Sequence, residues 1–159
     1  MMNNNCSDNY SDNCSDNLSC NCYEGFSDPY VVFLERKPEN IKEQLAYSAA
    51  LYIHENYKKR FSLDTLAENL FFNKYYLLRI FKEISGITLL SYHNYVRCLE
   101  AEKLLAGSNL SIAEAGSECG FATPAHFSRI FKKVTGATPK EFRSEEHTSE
   151  LQSRSDLVC

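Results

Sequence analysis

No apolar run in this 159-residue chain approaches the length of about 18 needed to cross a bilayer, so a membrane-spanning helix is excluded. The N-terminus also lacks a basic stretch followed by an apolar run, so a secretory leader is not expected and the cytoplasm is the expected compartment. Seven cysteines are present, but the paired Cys-x₂₋₄-Cys knuckles of a zinc site are missing. The Cys-x-Cys at 20–22 is a weaker cue, and Cys98 and Cys119 fall within helical patterns where a small buried thiol is the simplest reading. No metal or other cofactor is expected. Lys and Arg are absent from residues 1–29, which hold five acidic residues. Residues 144–159 are also acidic, so the formal net charge of −4 conceals a block, 30–143, that is +4 by itself. That sign permits a nucleic-acid partner without requiring one.

The chain has room for one domain or two very small ones. Residues 1–29 repeat Ser-Asp-Asn every four positions from Ser7 to Asn17, and little there can be buried, so a disordered acidic tail is expected. The stretch "YVVFLERKP" over 30–38 reads as a short strand or linker stopped by Pro38. From Ile41 the apolar period becomes helical, with Ile41, Leu45, Ala49, Tyr52 and Ile53 on one face to be buried, and this first helix ends near the cations Lys58, Lys59 and Arg60. At the other end, "RSEEHTSELQS" has no apolar period and coincides with the translation of a common short-read sequencing adapter. The native reading is therefore expected to stop near Arg143, with 144–159 a read-through.

Between these ends the chain repeats itself. "RIFKEISG" at 79–86 returns as "RIFKKVTG" at 129–136, and the longer stretches from Ser62 and Ser111 align with one extra residue in the second turn. Each copy resolves into a short helix, a turn and a longer helix. Ser111 and Glu114 form an S-x-x-E capping box, and Gly120 breaks the helix that follows. Thr123 caps the next helix with Pro124 in its first turn, and Asn73 takes the cap position in the first copy. Leu77, Ile80, Phe81 and Ile84 make one buried face, matched by Phe127, Ile130, Phe131 and Val134. The outer face bears Lys74, Tyr75, Leu78, Arg79 and Lys82 in one copy, and Pro124, Ala125, Ser128, Arg129, Lys132 and Lys133 in the other. Paired short helices with a basic outer face on the second form the helix-turn-helix arrangement, expected here over about 62–86 and 111–136. The fold expected is all-α, with about seven helices. A connecting helix from Leu89 to about Leu105, roughly 26 Å long, could hold two reading helices near one duplex turn apart.

Gly120-Phe121, Phe127-Ser128-Arg129, Phe131-Lys132-Lys133, Gly136, Thr138-Pro139 and Phe142-Arg143 together resemble the signature of the AraC/XylS family of bacterial transcription regulators. The connecting pattern Tyr92…Arg97…Ala101…Leu104-Leu105 matches as well, and the resemblance covers about 39–143. It implies a non-catalytic DNA-binding domain whose two second helices enter successive major grooves of double-stranded promoter or operator DNA, with RNA polymerase as a partner by analogy. It also implies base-facing roles for Tyr75, Leu78, Arg79, Pro124, Ala125, Ser128 and Arg129. Lys82, Lys132 and Lys133 suit phosphates better. The sequence departs from the family at Ala115-Gly116, at Phe71, which holds the turn position of Gly120, and at His93, where Leu or Ile is usual. Two other functions compete: a cysteine-based metal or redox sensor or repair protein fused to a DNA-binding domain, and a helical interaction module that has lost DNA binding. His54, His93 and His126 read as structural residues.

Overall fold

The computed structural model describes residues 28–144, within which every regular element is helical. In chain order these are α1 (Pro29–Glu35), α2 (Ile41–Asn56), α3 (Leu63–Leu70), α4 (Lys74–Ser85), α5 (Leu89–Gly107), α6 (Ile112–Glu118) and α7 (Pro124–Thr135), followed by a helical stretch over 139–144. The expected acidic tail, apart from Asp28 and Pro29, lies outside the described residues, as does 145–159.

Most boundaries follow from local chemistry. Asn40, Ser62, Asn73, Thr88, Ser111 and Thr123 each stand at an N-cap and accept a hydrogen bond from a backbone N–H of the first turn. The capping box is complete: Glu114 N donates to Ser111 Oγ at 3.2 Å, and Ser111 N donates to Glu114 Oε2 at 2.7 Å. Gly86 and Gly136 end α4 and α7 at φ 84° and 86°, the left-handed region that a side chain enters only with strain.

One element differs from expectation. Where a short strand or linker is expected over 30–38, a helix, α1, occupies 29–35. Asp28 accepts from Tyr30 N at 2.9 Å and Pro29 sits at the helix start, so the Asp-Pro pair is a cap followed by a preset φ. The apolar residues that suggested a strand dock on α2 instead. Phe33 is buried edge-on to Tyr47, and Tyr30 stacks on His54 at 4.2 Å between ring centres. Asp28 Oδ1 also accepts the Tyr92 hydroxyl at 2.7 Å, tying the start of α1 to α5. Ile41, assigned by period to the buried face of α2, is exposed at the first position of that helix.

The apolar residues sort into two cores. The first gathers Leu45, Ile53, Leu66, Leu77, Ile80 and Phe81 from α2, α3 and α4, and is closed by Leu89, Tyr92 and Val96 of α5. The second begins on the same helix at Cys98, Ala101 and Leu105 and takes in Ala115, Cys119, Phe121, Phe127 and Phe131. Helix α5, 19 residues and thus about 28 Å long, is shared between the two. Arg97 stands at the changeover.

Candidate nucleic-acid interface

Each core holds down one helix pair and leaves the outer face of the second helix in solvent. On α4 the apolar stripe Leu77, Ile80 and Phe81 is buried together with Ser85, so the opposite side of the helix faces solvent. Tyr75 is 71% exposed in the first turn. Lys74 is half-buried, reaches Asp64 at 2.8 Å and carries its ammonium 5.6 Å above the Tyr75 ring. Arg79 is exposed, its guanidinium 5.5 Å over the Tyr76 ring, and Lys82 is exposed in the last turn. Leu78 is only half-exposed and packs against the first core, so its outer placement is partial.

The second unit repeats this arrangement. Phe127 and Phe131 are fully buried, while Pro124, Ala125, Arg129, Lys132 and Lys133 are exposed and Ser128 is half-buried. Arg79 and Arg129 therefore take equivalent places on two outward helix faces. Their guanidinium forks match guanine O6 and N7 in a major groove, while the lysines suit phosphate as point charges. The first turns differ: Lys74-Tyr75 offers a cation and a phenol, whereas Pro124-Ala125 offers no side-chain donor.

The turns also repeat at the backbone. Phe71 N donates to Glu68 O and Phe72 N to Ala67 O, at 3.2 and 3.1 Å. Gly120 N donates to Ser117 O and Phe121 N to Gly116 O, at 2.9 and 3.0 Å. Gly120 takes the left-handed conformation at φ 84°, and Phe71 takes it at φ 58° with its ring 94% exposed. Gly116 answers to a neighbour rather than to helix propensity. A Cβ built there would stand 2.7 Å from Phe127 Cδ1, closer than real contacts allow. The first unit carries Ala67 and Leu77 at the equivalent positions, so a smaller residue on α6 is matched by a larger one on α7.

The three histidines among the described residues pack within the fold. His126 packs against the Phe121 ring, and His54 Nε2 lies 3.0 Å from the Tyr92 hydroxyl, its pKa held down by burial. His93 is 3% exposed and neither ring nitrogen reaches a hydrogen-bonding partner, so its pKa falls to about 4 through burial and the nearby Arg97 charge. The Tyr57 and Lys59 carbonyls near it push the other way but are outweighed by burial, the largest cause.

Arg97, which the sequence pattern marks only as part of the connecting helix, has a role of its own in the fold. It is 7% exposed, donates from Nε to Tyr57 O and from Nη2 to Lys59 O, both at 2.7 Å, and lies 5.4 Å over the Phe121 ring. The sequence signal was a charge set between Val96 and Cys98 on a stripe that both cores bury, because charges there are kept only when paired.

Two helix pairs, each with a basic second helix facing out and a shared rigid helix between them, define a double helix-turn-helix domain. The family model described as "Helix-turn-helix domain" matches residues 66–145, and the chain belongs to that family, in its AraC-type form. The arabinose operon regulatory protein of Escherichia coli strain K12 is 33% identical over 119 residues, covering 70% of this chain and 41% of that protein. A Chromobacterium violaceum transcriptional regulator with an AraC-type DNA-binding domain superposes with TM-score 0.62 at 27% identity, covering 65% of this chain and 93% of the other. The DNA-binding domain of AdpA, solved in complex with a target DNA, also gives TM-score 0.62, covering 67% of this chain and 96% of that one. Its 24% identity makes that a likeness of fold. The chain spans less than half the length of several curated relatives it matches.

Proposed function

We propose that this chain is a sequence-specific, double-stranded-DNA-binding transcription regulator that inserts α4 and α7 into two successive major grooves. The observation carrying the proposal is the duplicated outward presentation of Arg79 and Arg129 on helices whose inner faces are buried in separate cores. In this reading Tyr75, Leu78, Arg79, Pro124, Ala125, Ser128 and Arg129 face bases, with Tyr75 and Ala125 suited to thymine methyl groups. Lys74, Lys82, Lys132 and Lys133 position the domain on phosphates. The half reached by α7 is read less stringently, because Pro124 and Ala125 bring no donors. RNA polymerase is a further partner in the same proposal. The reading as a cysteine-based sensor rests on the N-terminal thiols Cys6, Cys14, Cys20 and Cys22, which lie outside the described residues; Cys98 and Cys119 add nothing to it, since burial pushes their thiols up to about 12 and about 11, far from a reactive thiolate.

Selection of bound sequences from a random duplex pool by the whole chain would supply the site. On that site Arg79→Ala and Arg129→Ala are each expected to cost about 1–3 kcal/mol and to relax different half-sites. A mobility-shift titration in which neither substitution matters would overturn the proposal. Normal folding with no salt-dependent DNA affinity would favour the interaction-module reading instead.

A further inference from the structure

The two cores adjoin on α5 at a cluster around Arg97. Arg97, the residue of α5 between Val96 of the first core and Cys98 of the second, donates to two carbonyls of the loop that leaves α2. Its guanidinium also lies against Phe121, in the turn between α6 and α7. The turn itself touches the same loop. A Cβ at Gly120 would collide with the Lys58 carbonyl oxygen and lie 3.0 Å from Arg97 Nη2. Lys58 Nζ and Glu118 Oε2, both exposed, add a loose ion pair at 3.7 Å. Thus a loop of the first unit and the helix-turn-helix turn of the second are joined through one buried cation that lies in neither core.

We propose that Arg97 is a positioning residue that clamps the two helix-turn-helix units into one rigid body and thereby fixes the base-pair spacing the protein accepts. This rests on the reading of α4 and α7 as DNA-reading helices. Helix α5 alone leaves each unit free to roll about its axis through small changes in side-chain packing. Arg97 removes that freedom, because its planar fork bonds the first unit's loop while its face stacks on the second unit's ring. One base pair of added spacing rotates the second half-site by about 35° and shifts it by about 3.4 Å. A rigid body cannot follow that change and a hinged one can. Simultaneous engagement of two half-sites multiplies affinity only while the geometry permits both.

Two measurements on the full chain test the clamp. The first needs no DNA: residual dipolar couplings of the ¹⁵N-labelled protein, with Arg97→Lys and, as a second variant that keeps the buried charge, Phe121→Leu. Couplings from 41–96 and 98–135 should fit a single alignment tensor in the wild type and require two in either variant. A single tensor in both folded variants would overturn the clamp. The second measurement is affinity for the selected site, for that site with one base pair inserted or deleted between its halves, and for an isolated half. The wild type should lose about tenfold or more on the altered spacings. Arg97→Lys should weaken the native spacing, level the three spacings to within about threefold, and leave the isolated half unchanged. Uniform weakening that includes the half-site would mean a damaged fold and would overturn the proposal. If the wild type binds no selected duplex, the DNA-reading proposal falls, while the dipolar couplings still decide the clamp.

Discussion

Phe71 holds a backbone conformation that costs an L-residue about 1–2 kcal/mol, and its ring is solvent-exposed rather than packed. Phe71→Gly should therefore raise stability by about 1 kcal/mol, less the entropy that glycine adds to the unfolded chain, as measured by urea denaturation. At Gly116 the expected sign is opposite to helix propensity. Gly116→Ala gains about 1 kcal/mol of propensity but drives a methyl into Phe127, so a net loss of about 1–2 kcal/mol is expected. Adding Phe127→Leu, which recreates the Ala67–Leu77 pairing of the first unit, should recover part of that loss, and a double-mutant cycle would read the coupling. His93 gives a pH signature. Its folded pKa, about 4, lies below the ordinary histidine value of 6.5, so folding favours the neutral ring. That contribution is fully present above about pH 6.5 and is lost as pH falls toward 4, by up to about 3 kcal/mol. The lowered carboxylates Glu43, Glu83, Glu114 and Glu141 act below that range, so the loss between pH 6.5 and 5 belongs to histidine, with His54 adding in the same direction. His93→Leu should flatten the stability profile there, and thermal melts across that pH range would check it.

At the scale of the helix, the caps decide where the reading faces begin. Asn73 Oδ1 accepts from Tyr75 N at 2.9 Å and stands just before Lys74 and Tyr75, so it fixes the first turn of α4 and the side chains proposed to meet bases. Asn73→Ala should cost about 1 kcal/mol of stability and weaken DNA binding by more than that loss predicts; paired denaturation and mobility-shift titrations would separate the two effects. Six of the seven named helices were legible: α2 and α4 to α7 from caps, periods and glycine stops, which act within one or two turns of chain, and α3 from its alignment with the second copy. Helix α1 was not: "YVVFL" satisfies a strand period, and the Asp28 cap with Pro29 settles its state together with docking of Phe33 and Tyr30 on α2. Leu78 was placed outward by counting along α4, but the first core reaches around to cover half of it.

For the whole molecule, the net charge of the chain misleads, since the excess cations sit in 30–143 and the proposed reading faces carry Arg79, Lys82, Arg129, Lys132 and Lys133 in the open. With Lys74, Lys82, Lys132 and Lys133 on phosphates, affinity for the selected site should fall about 10²-fold between 50 and 200 mM salt, and Lys132→Ala should reduce the slope of log affinity against log salt by about one. A slope near zero would be incompatible with phosphate-led binding. By itself the sequence determined the helix starts and stops and the outward basic residues, because each is encoded by neighbours a few positions apart, and the duplicated unit and the family, because such local patterns recur along the chain in a fixed order. The tertiary structure decided how the duplicates are assembled. The Gly116–Phe127 fit and the Arg97 bonds to Tyr57 and Lys59 join residues 11 to 40 positions apart, and the Asp28–Tyr92 bond spans 64. Such pairings follow no local period. They exist only once two cores have formed and brought those atoms within bonding distance.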